Sequence, residues 1–440
     1  MTIAPERIHI SPTAPHVTEP THLEAPHHAL NTRLSVGGGL DREHPPKKSG
    51  RPNPMAGLTN EEIEQIGLDL DAMRAEIMHS RGARDAAYIR RVIKIQRGLE
   101  MGSRIVLLFS RNKAAWVAGT VGLSLAKILE NMEIGHNVMH GQWDWMRDPK
   151  IHSTAWEWDN ASPSSQWKRT HNQMHHTFTN VIGRDNDLGY GIMRVDEDQR
   201  WSLFHLFQPI WHVGNALLFE YGIAAYDLEL GGYLAKRKRM TPEAKAEWRA
   251  EAMKTVHKIR AQMTKDYVVH PTMALPFGGP SNAWHTLTAN IVANLVRNVW
   301  ANTVIICGHF PKGIETFEVA GIDNETRGEW YLRQMLGSGN ISGSKAMHVM
   351  TGNLSHQIEH HLWPDMPGNR YAEVAPKVRE LMERHGLKYV SGPLLTQAAS
   401  VYVKVVELSL PNKVPGRRRR DMIRLAAKKA WRTRSLGRFS

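Results

Sequence analysis

Eight histidines lie in three short clusters whose internal spacing is typical of a metal site. The clusters are His136-Asn-Val-Met-His140, His171-Asn-Gln-Met-His175-His176 and His356-Gln-Ile-Glu-His360-His361. Residues i and i+4 share one face of a helix, so each pair can direct two imidazoles at one metal ion. The chain has 24 histidines in 440 residues. Three such clusters by chance are improbable, and we interpret them as metal-binding segments.

The remaining histidines are weaker candidates. His309 ends the apolar segment 267–308, and we treat it as a supplementary candidate ligand. An isolated histidine is more often packed or solvated than bound to a metal, so the others are not counted as ligands. Outside the N-terminal leader these are His79, His152, His205, His212, His257, His270, His285, His348 and His385.

The number and type of these ligands favour two metal ions. One structural zinc site needs four ligands, so eight or nine would be in excess. Imidazole suits iron, zinc and copper. Glu133, Asp144 and Glu359 lie near the clusters, and we expect them to hold the N–H groups of the ligand rings. A pair of irons with imidazole ligands leaves open positions for O2, and such a centre can remove hydrogen from an unactivated C–H bond.

Other redox and binding chemistries have no matching motif. Cys307 is the single cysteine, which excludes disulfide scaffolds, cysteine-rich zinc modules and cysteine-ligated iron–sulfur clusters. The sequence has no Walker A motif, no dinucleotide-binding Gly-x-Gly-x-x-Gly after a strand and no haem-binding His-Pro-Gly-Gly. We therefore expect a separate reductase or ferredoxin to supply two electrons per turnover.

The positive charge is concentrated in the last 25 residues. The formal net charge is +13, from 56 Lys and Arg against 43 Asp and Glu, and the run from Arg417 to Arg438 holds ten of these cations beside one acid, Asp421. The body carries only +4, so the composition does not indicate a nucleic-acid-binding surface. The basic tail predicts contact with anionic lipid, a solvated end or docking of an acidic electron donor, and these alternatives stay open.

Three regions follow from the composition along the chain. Residues 1–57, rich in Pro and His, predict a disordered leader without a secretory signal. Thr59 followed by Glu61 and Glu62 predicts a helix start, so a folded domain is expected over 58–412, with a basic tail over 413–440.

Apolar character rises over 105–109, 114–128, 203–230 and 267–308. The last segment is broken at Phe277-Gly278-Gly279-Pro280 and predicts two membrane spans with a tight turn. The Lys- and Arg-rich segment 236–265 before it is placed in the cytoplasm. Arg297 must then face protein or the interface.

The clusters together with several longer strings resemble the integral-membrane fatty acid desaturases. The strings are Glu133–Met146 (EIGHNVMHGQWDWM), Cys307-Gly308-His309-Phe310-Pro311, Trp330–Ser338 (WYLRQMLGS) and Gln357–Pro364 (QIEHHLWP). They are most similar to the actinobacterial stearoyl-CoA desaturases, and the resemblance covers roughly 58–408.

The resemblance implies an all-α integral-membrane fold with transmembrane hairpins and a cytosolic helical cap that holds a His-ligated di-iron site. It also implies a bent tunnel for a long-chain acyl-CoA. The implied reaction is O2-dependent insertion of a cis double bond, from stearoyl-CoA to oleoyl-CoA at the delta-9 position. NADPH would act indirectly through the separate reductase. The implied location is the cell membrane, multi-pass, with the active site on the cytoplasmic side and 203–230 in the interface or cap.

Two positions depart from patterns within that family. Gln357 lies three residues before His360, where front-end desaturases place the first ligand of a Gln-x-x-His-His box, but His356 precedes it here. We favour His356, since imidazole is the stronger ligand. Ile305 stands four residues before His309, where some relatives have a water-bridging Asn. The tryptophans beside the first two boxes are candidates for the acyl path or for packing: Trp143, Trp145, Trp156, Trp158 and Trp167.

Two other functions use the same residues. A hydroxylase or alkane monooxygenase would have the same iron ligands, although Gln357–Pro364 matches desaturases more closely. A membrane metal-binding or storage protein would need neither an acyl tunnel nor a reductant.

Overall fold

The computed structural model describes residues 50, 52–185, 187–322 and 324–436, with side chains described as far as Lys429. The predicted disordered leader therefore lies almost entirely outside the described residues. The predicted helix start is confirmed, because the Thr59 side chain accepts from the Glu62 N–H group and the Glu62 carboxylate accepts from the Thr59 N–H group.

The described chain is mostly helical. In chain order the helices are α1 Asn60–His79, α2 Ala83–Leu107, α3 Lys113–Leu129, α4 Asn137–Met139, α5 Ser164–Trp167, α6 Gln208–Leu217, α7 Phe219–Asp227, α8 Leu230–Lys236, α9 Pro242–Thr264, α10 His270–Met273, α11 Gly279–His309, α12 Arg327–Leu336, α13 Lys345–Met350, α14 Gln357–Leu362, α15 Tyr371–Arg384, α16 Leu394–Leu408 and α17 Arg419–Leu436. Two three-residue strands, β1 Asn340–Ser342 and β2 Ser391–Pro393, pair in parallel, which qualifies the all-α prediction.

Two long helical hairpins lie side by side. The first is α2 with α3, and the second is α9 and α10, joined by a π-helical turn over 265–269, with α11. Leu123 of α3 packs with Ala289 and Ala293 of α11 in one buried cluster. The break predicted at 277–280 is present, and Gly279 there has a left-handed φ of +65°.

The prediction of two membrane spans in the second hairpin is not confirmed. The arm before the break starts at Pro242 in a strongly charged helix, so its apolar part is only 267–277. Among the described residues, α11 is the single helix whose length and composition would allow it to cross a bilayer.

Asn282 joins the turns of the two hairpins. Its Oδ1 accepts from the Arg111 N–H group at 2.7 Å and from the Ser110 hydroxyl at 3.2 Å. Its Nδ2 donates to the carbonyl of Leu108 and, at 2.9 Å, to that of Ala274. The buried amide thus bonds backbone groups of both turns.

Buried charges between the hairpins are paired. Lys127 lies 2.7 Å from Asp266, and Arg104 lies 3.0 Å from the same carboxylate. Arg297 faces protein, as predicted for a charged residue within a membrane span. Its guanidinium lies 2.6 Å from the Glu220 carboxylate. Removing one partner of such a pair leaves an uncompensated buried charge, so these contacts constrain how the hairpins pack.

A helical cap covers the ends of the hairpins. Ile66 and Leu70 of α1 pack with Tyr331 of α12, Leu362 of α14 and Val378 of α15 in the largest buried apolar cluster described. This core holds α14, which carries the third histidine cluster, against the end of α11.

Candidate metal centre

The first cluster lies where α3 continues into a π-helical turn, Glu130–His136, followed by α4. Single π-helical turns in α-helices occur frequently at functional sites. Gly135 is required there because a Cβ atom would lie 2.8 Å from the Glu130 carbonyl and 3.0 Å from Trp158 Cβ. His136 and His140 have ring centroids 4.6 Å apart, so they share a face as predicted.

The second cluster is also π-helical rather than α-helical. α5 runs into the π-helix Lys168–His175, and the His176 N–H group donates to the His171 carbonyl at 3.1 Å. His171 and His175 are stacked with centroids 5.0 Å apart. The wider turn leaves these two rings side by side, although His171 groups with His136 and His140 whereas His175 groups with His309 and His361.

The third cluster reaches the end of α11. His360 and His361 are fully buried on α14, and His361 Nε2 lies 3.3 Å from His309 Nε2. The supplementary candidate is therefore part of the same histidine assembly.

The imidazoles form two groups with one ring between them. In each group the ligand atoms lie within 4.8 Å of one another: His136, His140, His171 and His360 in the first, and His175, His309 and His361 in the second. His176 lies between the groups, with its ring centroid 4.6 Å from that of His140 and 4.5 Å from that of His361. Eight of the nine predicted ligands are thus brought together.

His356 is the predicted ligand that the structure places elsewhere. It is the N-cap residue of α14, with ψ at 56°, rather than part of the helix. The i, i+4 argument assumed helical geometry at both ends, and it fails at this residue. The His356 ring instead lies 4.6 Å from that of His348, in a surface pocket with Arg379 and Tyr389.

Gln357 occupies the position that His356 was expected to hold. Its Nε2 lies 3.0 Å from His309 Nε2, and its side chain lines the cavity next to the histidines. Gly308 makes room for it, since a Cβ atom there would be 2.8 Å from Gln357 Cγ. The preference for His356 over Gln357 is therefore not supported by this placement.

The ring nitrogens fit a metal site. The Nε2 atoms of five of these histidines are buried without a hydrogen-bond partner: His140, His171, His175, His176 and His360. Leaving buried polar atoms unpaired is costly, and native proteins rarely do so. Burial lowers the pKa of His140, His176 and His361 well below the usual value. These rings are therefore neutral, the form that binds metal ions.

Two aspartates that the sequence analysis missed orient the second cluster. Asp185 Oδ1 lies 3.0 Å from His175 Nδ1, and Asp187 Oδ2 lies 3.2 Å from His171 Nδ1. Burial lowers the pKa of His175, but Asp185 and Asp187 more than offset it and raise that pKa to about 9. Each carboxylate accepts the Nδ1–H group and leaves Nε2 directed at the centre, as carboxylate partners of metal-bound imidazoles do. The short run Asp-Asn-Asp soon after the second box was the available signal.

The three acids that were expected in this role contact other groups. Glu133 accepts from the Tyr88 hydroxyl at 2.6 Å, and Asp144 accepts from the Ser153 N–H group at 2.8 Å. Glu359 accepts from Asn340 Nδ2 at 2.8 Å. None of these hydrogen bonds reaches a histidine of the two groups, so the prediction for these acids is wrong.

Hydroxyl groups hold two rings of the third cluster. Tyr371 Oη lies 3.2 Å from His360 Nδ1, and Thr179 Oγ1 lies 3.1 Å from His361 Nδ1. Both hydroxyls contact Nδ1, so the Nε2 atoms of these rings remain directed towards the other histidines.

A cavity ends at the histidines. His136, His171, His309 and Gln357 are among its lining residues. Ile305, Ala301 and Arg297 of α11 follow one another along one wall, over about 18 Å from His309 at 1.5 Å per residue.

Phe219 and Ile223 line other parts of the cavity, together with polar side chains such as Asp187, Asp227 and Asn131. Of the five tryptophans considered, Trp158 and Trp167 line the cavity. Trp143 packs instead in a separate cluster with Ile89 and Ile134.

Comparison with known proteins agrees with this geometry. Residues 114–393 match the family model described as fatty acid desaturase. The chain is 48% identical over 359 residues, 81% of this chain and 82% of the relative, to an NADPH-dependent stearoyl-CoA 9-desaturase of Mycobacterium tuberculosis. It is 23% identical over 64% of its length to an sn-1 linoleoyl-lipid 6-desaturase of Synechocystis, 76% of which is covered.

No solved structure matches the chain significantly. The family model covers more than half of the chain, including all three histidine clusters, and the long alignment with the mycobacterial enzyme extends beyond it. The chain belongs to the fatty acid desaturase family.

Proposed function

We propose that this protein is a membrane acyl-CoA desaturase that inserts a cis double bond into stearoyl-CoA at the delta-9 position in an O2-dependent reaction. The observation that carries the proposal is the meeting of eight imidazoles, six of them fully buried residues, at one end of a largely apolar cavity. The name of the mycobacterial relative supports the substrate and the bond position.

Two iron ions are the proposed cofactor. His136, His140, His171 and His360 would hold one, and His175, His309 and His361 the other. His176 lies between the groups, and Gln357 lies beside His309. When bound, the irons supply the oxidising power that removes hydrogen from a saturated carbon.

The chain's own residues position the acyl chain and keep water out. Ile305, Ala301 and Phe219 present an apolar wall to a hydrocarbon chain. Trp167 stacks on His171 with centroids 4.3 Å apart, so it shields the first histidine group on the cavity side. A dry, shaped cavity favours reaction at a carbon that carries no polar handle.

The membrane topology is proposed from the two hairpins. Exposed apolar side chains cover them, including Ile105 and Phe109 of the first hairpin and Trp284 of α11. The tip of the first hairpin carries Arg111 and Lys113, and α9 carries many Lys and Arg residues at the opposite end of the second. We propose a multi-pass protein of the cell membrane with its histidine centre and cap on the cytoplasmic side.

A separate protein must supply the electrons. The chain has no motif for a flavin, nicotinamide, haem or iron–sulfur group, so the donor is an NADPH-dependent oxidoreductase or a ferredoxin. NADPH would then act on this enzyme only indirectly.

Expression in a desaturase-deficient host tests the proposal. Lipid analysis should show oleate formed from stearate, and the product should contain no added oxygen. An alcohol in place of the alkene would favour the hydroxylase alternative. Bound iron without oxygen consumption, when acyl-CoA and electrons are added, would favour a metal-storage protein.

A further inference from the structure

An uncharged apolar surface lies outside the cavity and the hairpins. The segment 203–219 contains no Asp, Glu, Lys or Arg and forms a 3-10 turn, Leu203–Phe207, followed by α6. Its exposed side chains include Phe207 at 55%, Ile210 at 64% and Val213 at 52% of full exposure. We call the exposed side chains of residues 203–218 the 203–218 surface. Contiguous exposed apolar residues of this kind mark an interaction site.

The basic helix α17 packs against one end of this surface. It contacts the Leu203–Phe207 turn, and Met422, Ile423 and Ala426 are half-buried on its inner side. Arg420, Arg424 and Lys428 are exposed on its outer side. The helix is therefore amphipathic, with its cations directed away from the protein.

The chain leading into α17 is fixed to the segment that precedes the 203–218 surface. Arg194 Nη1 donates to the Leu410 carbonyl at 3.2 Å, and Trp201 Nε1 donates to the Ser409 carbonyl at 2.8 Å. Asn412 Nδ2 donates to the Glu197 carbonyl at 2.9 Å. These hydrogen bonds hold the start of the tail against residues 194–201. The position of α17 relative to the 203–218 surface is therefore defined.

We propose that α17 and the 203–218 surface form one platform that binds anionic lipid headgroups at the bilayer surface. Exposed Arg and Lys side chains are attracted to anionic phosphates, while neighbouring Phe, Trp and Ile side chains enter the boundary of the acyl region. This rests on the proposed membrane function, since it assumes that a bilayer lies beside the hairpins.

Charge and apolarity together favour lipid over an acidic protein. An acidic electron donor would complement the cations of α17. It would not complement the uncharged aromatic and aliphatic side chains next to them. Trp211 and Phe204 are stacked with centroids 5.4 Å apart, and Trp is enriched at membrane–water interfaces. An anionic lipid surface would contact both the cations of α17 and the apolar side chains of the 203–218 surface.

Hydrogen exchange of the full-length protein in nanodiscs tests this platform. Discs of neutral phosphatidylcholine are compared with discs that also contain phosphatidylglycerol. We expect amide exchange over 419–429 to be slowed at least about five-fold by the anionic lipid. Salt at about 1 M, where the Debye length falls to about 3 Å, should reverse the effect.

The paired variant Arg424→Glu/Lys428→Glu should lose this protection. The control Arg249→Glu/Arg260→Glu makes the same charge change on α9 and should keep it. Equal exchange in both discs, or protection that requires an acidic redox protein instead of lipid, would overturn the proposal. Residues 279–296 should be protected in both discs, and free exchange there would contradict the membrane function independently of α17.

Discussion

Gln357 Nε2 lies 3.0 Å from His309 Nε2, whereas the ring of the preceding residue, His356, faces His348 on the other side of the chain. Two adjacent residues at the start of α14 therefore point to different places, one into the histidine centre and one into a surface pocket. Because Gln357 lies beside the histidines and His356 does not, we expect Gln357 to influence metal binding.

We predict that Gln357→Ala impairs the enzyme and that His356→Ala is mild. Loss of Gln357 removes the amide beside His309 and should lower iron affinity or activity by about 10- to 100-fold, the range for groups that orient metal ligands. His356→Ala should stay within a few-fold of the parent protein. Iron content and oleate formation are measured for both variants, and the opposite pattern would restore His356 as the ligand.

We predict that Asp185→Asn weakens metal binding while the protein still folds. The amide cannot accept the Nδ1–H group of His175 as a charged partner, so the ring loses its fixed orientation, and iron affinity should fall by about 10- to 100-fold. Asp144→Asn is the matched control, since Asp144 contacts Ser153 rather than a ring of the centre. Iron retention during dialysis against a chelator distinguishes them. Equal losses in both variants would mean that Asp185 has no special role.

The meeting of the clusters was predictable from the sequence because i, i+4 spacing keeps two rings on one side of a helical turn. The π-helical turns at His136 and His171 were not predictable, and the second one leaves the rings of His171 and His175 adjacent but in different histidine groups. The placement of His356 was not predictable, because the helix begins one residue later than the pattern suggested. Asp185 and Asp187 were missed because their contacts depend on the fold of an irregular loop.

The hairpin break at Gly278-Gly279 was predictable, since Gly and Pro interrupt a helix for local reasons. The length of the apolar helical arms on either side of the break was not predictable. Their pairing leaves Lys127, Arg104 and Asp266 buried between helices, and a hydropathy pattern does not show that such charges are partnered.

We predict that His175→Ala and His360→Ala abolish desaturation and reduce bound iron. The parent protein should hold about two iron ions per chain, one for each histidine group. His285→Ala should be close to the parent, because His285 Nδ1 contacts only the Ser281 carbonyl of its own helix. Metal analysis is combined with oleate formation in the same preparations. A fully active zinc-only protein, or an inactive His285→Ala beside an active His360→Ala, would contradict the assignment.

We predict that Ala301→Leu shifts the product profile towards shorter acyl chains. Ala301 is buried on the wall of α11 that runs from His309 to the Arg297–Glu220 ion pair. A leucine there fills space beyond the reacting carbon, so the methyl end of a stearoyl chain has less room while a palmitoyl chain still fits. Overpacking of a buried site costs typically about 1–3 kcal/mol, so melting temperature and bound iron are measured as well.

The matched control for this change is Thr303→Leu, two residues along the same helix and absent from the cavity lining. It places the same leucine side chain on the same helix without entering the acyl path. The ratio of palmitoleate to oleate should rise several-fold in Ala301→Leu and stay unchanged in Thr303→Leu. If Ala301→Leu lowers both products equally with iron retained, the wall of α11 does not determine acyl length.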